Sequence, residues 1–254
     1  MIATARRDDR ALLWRSIAAQ TKTELLMTLR RGESVLITVI VPVVLLIFFA
    51  SLDLTNVGTA KPVDFLLPGM IALAIIATGM VSLGIATAYE RYYGVLKRLG
   101  GSPLPRAGLL VAKALSVLAL EALQVVILVL IAVLIYGWRP AGSPLAALLA
   151  IVLGTIAFAG LGLAMAGALR AEATLAGANG LYLLFLLLSG SVLPLDHLPP
   201  VLQGLAHVLP AAALTDLLRA ALTAGVALPI SALVVLLGWT VLALGVAART
   251  FRWE

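Results

Sequence analysis

Six long apolar stretches, each near the length of a membrane-crossing helix, constrain this chain more than any other feature. They cover residues 35–52, 65–89, 114–136, 145–169, 175–193 and 226–248. A bilayer core about 30 Å thick takes roughly 20 helical residues. Turn chemistry separates the runs at 53–64, at Gly100-Gly101-Ser102-Pro103 and at 137–144, and Arg170-Ala171-Glu172 makes a tight fourth connection. Soluble domains carry about 25% charged residues; here 12% are charged and 62% hydrophobic, with a mean hydropathy of +1.12. That leaves enough apolar side chains to face lipid as well as fill an interior. The expected fold is all-α: one polytopic membrane domain over 1–254 with six spans.

The cations sort by loop. Seven Lys or Arg precede the first run, five lie in the second connection, Arg170 is in the fourth and two follow the last run, which puts fifteen on one side. Lys61, Arg139 and Arg219 make three on the other. Because positive charge concentrates on the cytoplasmic side, both termini are expected in the cytoplasm. No small-residue cleavage pattern follows the first run, so no cleaved signal peptide is expected. The net charge of +6 does not signal nucleic acid, because the cations flank apolar runs and form no stripe on a polar domain. Cysteine is absent, which excludes disulfides and Cys-ligated metals. Arginine outnumbers lysine 14 to 4, a bias of GC-rich bacterial genomes, so a bacterial cytoplasmic membrane is expected.

Two segments fall outside the six spans. Residues 11–31 place Trp14, Ile17, Ala18, Thr21, Leu25 and Leu29 at helical spacing, with Arg15, Lys22, Glu24 and Arg30 between them. One apolar stripe with low overall hydrophobicity suits a helix lying in the membrane interface; a soluble helix packed on a partner is the alternative. Residues 194–225 hold two short apolar stretches, 199–208 and 211–224, divided by Pro210. Neither is long enough to span, so a pair of re-entrant or capping external helices is expected.

No Gly-x-x-x-x-Gly-Lys-[Ser/Thr] occurs, so the chain has no P-loop of its own for ATP. Ser189 and Ser191 near His197 invite an intramembrane serine protease, but both His197 and His207 lie in the proline-broken external segment. Glu121, with Gln124 one turn on, is an acid within the third span. It is either functional by default or a structural contact. Asn179 in the fifth span either joins helices through a hydrogen bond or faces a substrate cavity together with Thr78 and Ser82.

The most distinctive stretch is Glu90-Arg91-Tyr92-Tyr93-Gly94-Val95-Leu96-Lys97-Arg98-Leu99, stopped by Gly100-Gly101 and Pro103. A plain anchor would need only its cations. The acid–base pair at the exit of a span and the aromatic pair read as a docking element, with Glu90, Arg91, Tyr93, Gly94, Leu96, Lys97 and Arg98 as contacts. This stretch, followed by Pro-Leu and by Lys113 at the next span, resembles the cytoplasmic signature of ABC-2 type permeases. Those are the membrane subunits of bacterial exporters such as the daunorubicin-resistance type. The resemblance continues through Pro194, Pro199, Pro200, Pro210 and Asp216-Leu217-Leu218-Arg219.

It implies a core of two permease subunits, identical or homologous, with two copies of a separate P-loop ATPase that binds ATP and Mg. It implies further that 90–99 is a coupling helix and 11–31 a connecting helix. Glu90, Arg91 and Lys113 would form a polar relay that could extend to Glu121, and Pro194, Pro199, Pro200 and Pro210 would shape an external lid. Tyr92-Tyr93 depart from the commoner acidic or basic residues there. The expected function is therefore an ATP-driven exporter subunit for a hydrophobic or amphipathic cargo, against a nucleotide-independent secondary transporter or channel, or a membrane scaffold.

Overall fold

A computed structural model describes residues 2–30, 32–52, 61–101 and 104–250, and its side chains from residue 12 onward except 32–37. The expected stop at Ser102-Pro103, the cations Arg31 and Arg252, the side chains of Arg6, Arg7 and Arg10, and most of the first connection lie outside these residues. Among the described residues every regular element is a helix: α1 (Ile2–Arg30), α2 (Gly32–Ser51), α3 (Pro62–Ile75), α4 (Leu83–Tyr92), α5 (Val95–Gly100), α6 (Arg106–Tyr136), α7 (Pro144–Ala168), α8 (Ala171–Leu188), α9 (Pro200–Val208), α10 (Pro210–Leu222) and α11 (Ile230–Thr250).

Among the described residues five helices are long and apolar enough to cross a bilayer, Pro62–Tyr92, Arg106–Tyr136, Pro144–Ala168, Ala171–Leu188 and Ile230–Thr250, or six if the bent pair α9 and α10 is one broken span, while Thr38–Ser51 of α2 is apolar but shorter. The second run of the expected six therefore begins earlier than residue 65, because Pro62 takes the first helical position, where its missing N–H is no loss. The first expected run is carried by α2, 20 residues including Pro42. In the segment expected to be external, α9 and α10 meet at a 79° bend, where Leu209 is extended before Pro210.

Pro62–Tyr92 is the axis of the bundle. Twelve of the fourteen residues of α3 are buried, from Val63 to Ile75. Between α3 and α4, residues Ile76–Ser82 widen into a π-helix. Small residues let α7 cross this segment closely: a Cβ on Gly162 would stand 2.7 Å from the Met80 carbonyl oxygen, and one on Gly79 would stand 3.2 Å from the Ala159 nitrogen. The core includes Leu66, Met70, Leu73 and Ile76 and the edge-to-face pair Phe158 and Phe185, 5.9 Å between centroids.

Local signals place the turns. Gly137 closes α6 at φ 60°, and Trp138 N–H returns to the Ala132 carbonyl at 3.0 Å. Ser143 caps α7 by accepting from Ala146 N–H at 3.3 Å, with Pro144 at the first helical position. The connectivity puts the α4–α6 turn, the α7–α8 junction and the end of α11 at one end of the bundle. The start of α3, the α6–α7 turn and the α9–α10 pair lie at the other.

Candidate functional site

The expected docking helix over 90–99 is divided. α4 runs to Tyr92, Tyr93 caps it, and Gly94 at φ 70° turns the chain into the six-residue α5. Left-handed backbone suits glycine because no Cβ crowds the carbonyl. Tyr92 and Tyr93 are 65% and 68% exposed, and the rings of Tyr89 and Tyr93 stack at 6.1 Å. Lys97 and Arg98 are exposed beside them. Leu96, taken above as a docking contact, faces inward instead. It is 1% exposed and packs in the cluster of Leu83, Leu109, Val117 and Leu163. Leu96 anchors α5, leaving the two tyrosines and the cations as the outer face.

Directly behind this turn is a buried charge cluster. Lys113 of α6 is 0% exposed; its Nζ stands 2.7 Å from Glu90 Oε2 of α4 and 3.0 Å from Glu24 Oε1 of α1. Gln20 Nε2 donates to the same Glu24 oxygen at 2.9 Å. Three elements distant in sequence are thus pinned by one ammonium. A cavity of about 30 Å³ adjoins the cluster, lined in part by Thr28, Thr78, Ser82 and Ser116, enough for a water or two. Glu24 was not singled out above as a site residue. The available signal was its being the one acid in 11–31.

The structure joins only part of the expected relay. Glu90 and Lys113 meet, but Arg91 turns away to α7, where Nη1 donates to the Gly167 carbonyl at 2.6 Å and Nη2 to that of Leu169. These are terminal carbonyls that the helix itself leaves open. Glu121 lies two turns further along α6 and accepts from the Thr155 hydroxyl of α7, while its Oε1 has no hydrogen-bond partner among the described residues. Glu24 takes the place in the cluster that Arg91 and Glu121 were expected to fill.

The cavity residues also separate. Thr78 donates to Gln124 Oε1 at 3.1 Å, and Gln124 Nε2 reaches the Thr38 carbonyl at 3.3 Å, so Thr78 ties the π-segment to α6 and α2. Ser82 and Asn179 line a larger cavity of about 690 Å³ between α2, α4 and α8, with Tyr89, Tyr93 and Tyr182 among its walls. Asn179 Nδ2 is engaged by its own helix, at the Leu175 carbonyl.

At the opposite end of the bundle, prolines set the segment between α8 and α11. Pro194 precedes a 3₁₀ turn (Leu195–His197), Pro199 precedes α9, and Pro200 and Pro210 occupy first helical positions. A buried hydroxyl chain fastens this segment: Ser189 donates to Ser191 at 2.7 Å, and Ser191 and Thr215 lie 3.2 Å apart. Among the described residues these serines bond to each other and to Thr215 rather than to His197 or His207.

Fold and site together define a polytopic all-α membrane protein with a buried ionic cluster behind an exposed tyrosine-bearing turn. The chain belongs to the ABC-2 type transporter family, which matches residues 13–223. It is 26% identical over 200 residues to a Bacillus subtilis protein named as a transport permease, YvfS, covering 75% of this chain and 79% of that one. ABC transporter G family member 20 of Dictyostelium discoideum is 29% identical over 195 residues, 74% of this chain and 26% of the relative. An Escherichia coli protein named as a multidrug ABC transporter permease, YbhS, is 25% identical over 163 residues, 63% of this chain and 43% of the relative. Family membership makes this chain a membrane subunit of an ABC transporter, and it implies an ATPase partner.

Proposed function

We propose that this chain is the permease half of an ATP-driven exporter in a bacterial cytoplasmic membrane, with the α4–α6 turn facing the cytoplasm. A separate ATPase docks on Tyr92, Tyr93, Lys97 and Arg98 and supplies the ATP and Mg chemistry. Two such ATPases act on a core of two permease subunits. The observation that carries this reading is the Glu24–Lys113–Glu90 cluster set directly behind the exposed tyrosines. A push on the turn is passed at once to α1, α4 and α6, because a buried salt-bridged group resists separation. The cavity lined by Ser82 and Asn179 is mostly apolar and aromatic, which suits a hydrophobic or amphipathic cargo such as a drug, antibiotic or lipid. Switching between inward- and outward-open states follows whichever state the nucleotide-bound ATPase prefers.

The test is co-purification and reconstituted transport with the partner P-loop ATPase. Tyr93→Ala with Lys97→Glu should abolish ATPase retention and ATP-stimulated transport while the permease still purifies as a folded membrane protein. Leu96→Asp is unsuitable, since it would bury a charge. Cargo movement in liposomes lacking both nucleotide and partner would overturn the exporter reading.

A further inference from the structure

At the end of the bundle away from the tyrosine turn, the cations are few and they converge. Lys61 caps α3, Arg139 is on the α6–α7 turn and Arg219 is in α10, yet all three line one cavity of about 940 Å³. Phe65, Trp138, Leu222 and Val226 give it apolar walls, and Asp64 and Asp216 also face it. The rule that keeps cations on the opposite side of the membrane gives no reason to gather these three here.

Two of them are held in place by the fold. Arg219 stacks over the Phe65 ring, with its guanidinium carbon 4.1 Å from the centroid. Its Nη2 donates to the Gly190 carbonyl at 2.9 Å, and Nη1 lies 3.5 Å from Asp216 Oδ1. Lys61 Nζ donates to the Gly137 carbonyl at 2.9 Å. Arg139, exposed on the α6–α7 turn, makes the third wall. Among the described residues of its lining, three cations stand with two carboxylates beside aromatic and aliphatic surface.

We propose that this cavity binds a singly charged anionic head group, a phosphodiester or a carboxylate, carried on an apolar chain. Asp64 and Asp216 stand among the cations of the lining, so one anionic group is accepted where a polyanion would be repelled. Arginines recognise phosphate and carboxylate through a planar fork of donors, and the apolar walls take the chain. Within the exporter reading, on which this inference rests for its cargo class, the cavity is the exit-side station for an anionic amphiphile. The same chemistry is offered by a resident bilayer lipid.

The experiment uses the full purified chain in neutral detergent, with no ATPase or nucleotide, so its failure leaves the exporter reading standing. Native mass spectrometry and equilibrium titration measure binding of dioleoyl phosphatidylglycerol, dodecanoate and dioleoyl phosphatidylcholine. One anionic probe should bind per chain. Arg139→Gln should weaken it about tenfold, the loss of one charge-assisted hydrogen bond. Arg139→Lys should keep part of the affinity. Arg249→Gln, an exposed cation at the far end of α11, should change nothing. Binding of phosphatidylglycerol alone assigns the site to resident lipid, and binding of dodecanoate alone to a smaller cargo; either supports the site. Phosphatidylcholine bound as tightly as phosphatidylglycerol, or anionic probes indifferent to Arg139→Gln, would overturn it.

Discussion

Replacing Lys113 with Met removes a cation that two buried carboxylates share. At 2.7 Å from Glu90 and 3.0 Å from Glu24, each attraction is about 6 kcal/mol at an effective dielectric of about 20. Desolvation of the three charges offsets most of that, and breaking a buried pair typically loses about 3–5 kcal/mol net. Solvent relieves little, because the two carboxylate side chains are only 8% and 10% exposed. Both would be left buried near each other, which places Lys113→Met at the top of the range. For a chain of this size each kcal/mol shifts the melting temperature by about 2–4 °C, so a fall of about 10–20 °C is expected. The assay is tryptophan-fluorescence melting in detergent. Glu24→Gln, Glu90→Gln and Lys113→Met combined should return to within about 2 kcal/mol of the parent, because a neutral buried set needs no counter-charge. A triple variant no more stable than Lys113→Met alone would show that the loss comes from packing of the lysine stem, and the ionic reasoning would fail.

Other substitutions probe the joints around this cluster. Arg91→Ala loses two charge-assisted bonds to the end of α7 and should lower stability by about 1–3 kcal/mol in the same melt. Arg91→Lys should restore less than half, since a point charge cannot span two carbonyls. Gly69→Ala would bring a Cβ to 2.4 Å from the Ser191 carbonyl oxygen and should destabilise by about 1–3 kcal/mol. Gly180→Ala and Gly238→Ala, with nothing within 4 Å, should stabilise by about 0.5–1 kcal/mol. Glu121→Gln can still accept from Thr155 and should melt within about 1 kcal/mol of the parent, whereas Glu121→Ala should lose about 2–4 kcal/mol through the cavity it leaves, with the Thr155 hydroxyl keeping the Ile151 carbonyl as its acceptor.

Much of the helix layout was legible in the sequence because the physics is coarse. Apolar runs of bilayer length, and glycines and prolines between them, leave few alternatives. Contacts between elements were less legible, and Arg91 shows why. It follows Glu90 in sequence and invites a shared role, but neighbours on a helix point about 100° apart, so Glu90 reaches α6 while Arg91 reaches α7. Leu96 misleads in the same way, since a leucine amid Lys97 and Arg98 looks surface-bound until α5 is laid against α6 and α7. Ser82 and Asn179 do line one cavity together, but Thr78 borders only the smaller one, and a lone polar group in an apolar helix carries no sign of which neighbour it faces. The π-segment had no signal at all: its residues, Ile-Ala-Thr-Gly-Met-Val-Ser, would serve an ordinary α-helix equally well.

That segment bears on how the two ends of the molecule communicate. Glu90, at one end of Pro62–Tyr92, is fixed to Lys113; Asp64 and Phe65, at the other, line the cavity that holds Arg219. A continuous α-helix buried along most of its length would transmit an axial shift with little loss. The π-turn at Ile76–Ser82 interrupts that stiffness at one place, and π-bulges tend to occur at functional positions. The close approaches of Gly79 to Ala159 and of Met80 to Gly162 hold it against α7, so a movement started at Tyr92 meets α7 before it meets Asp64. Thr78 and Ser82 lie on the same turn, and both border the space beside the Lys113 cluster. A change in that turn would therefore act on the charge cluster and the axis of the bundle together, which is what the proposed coupling between the α4–α6 turn and the distant cavity requires.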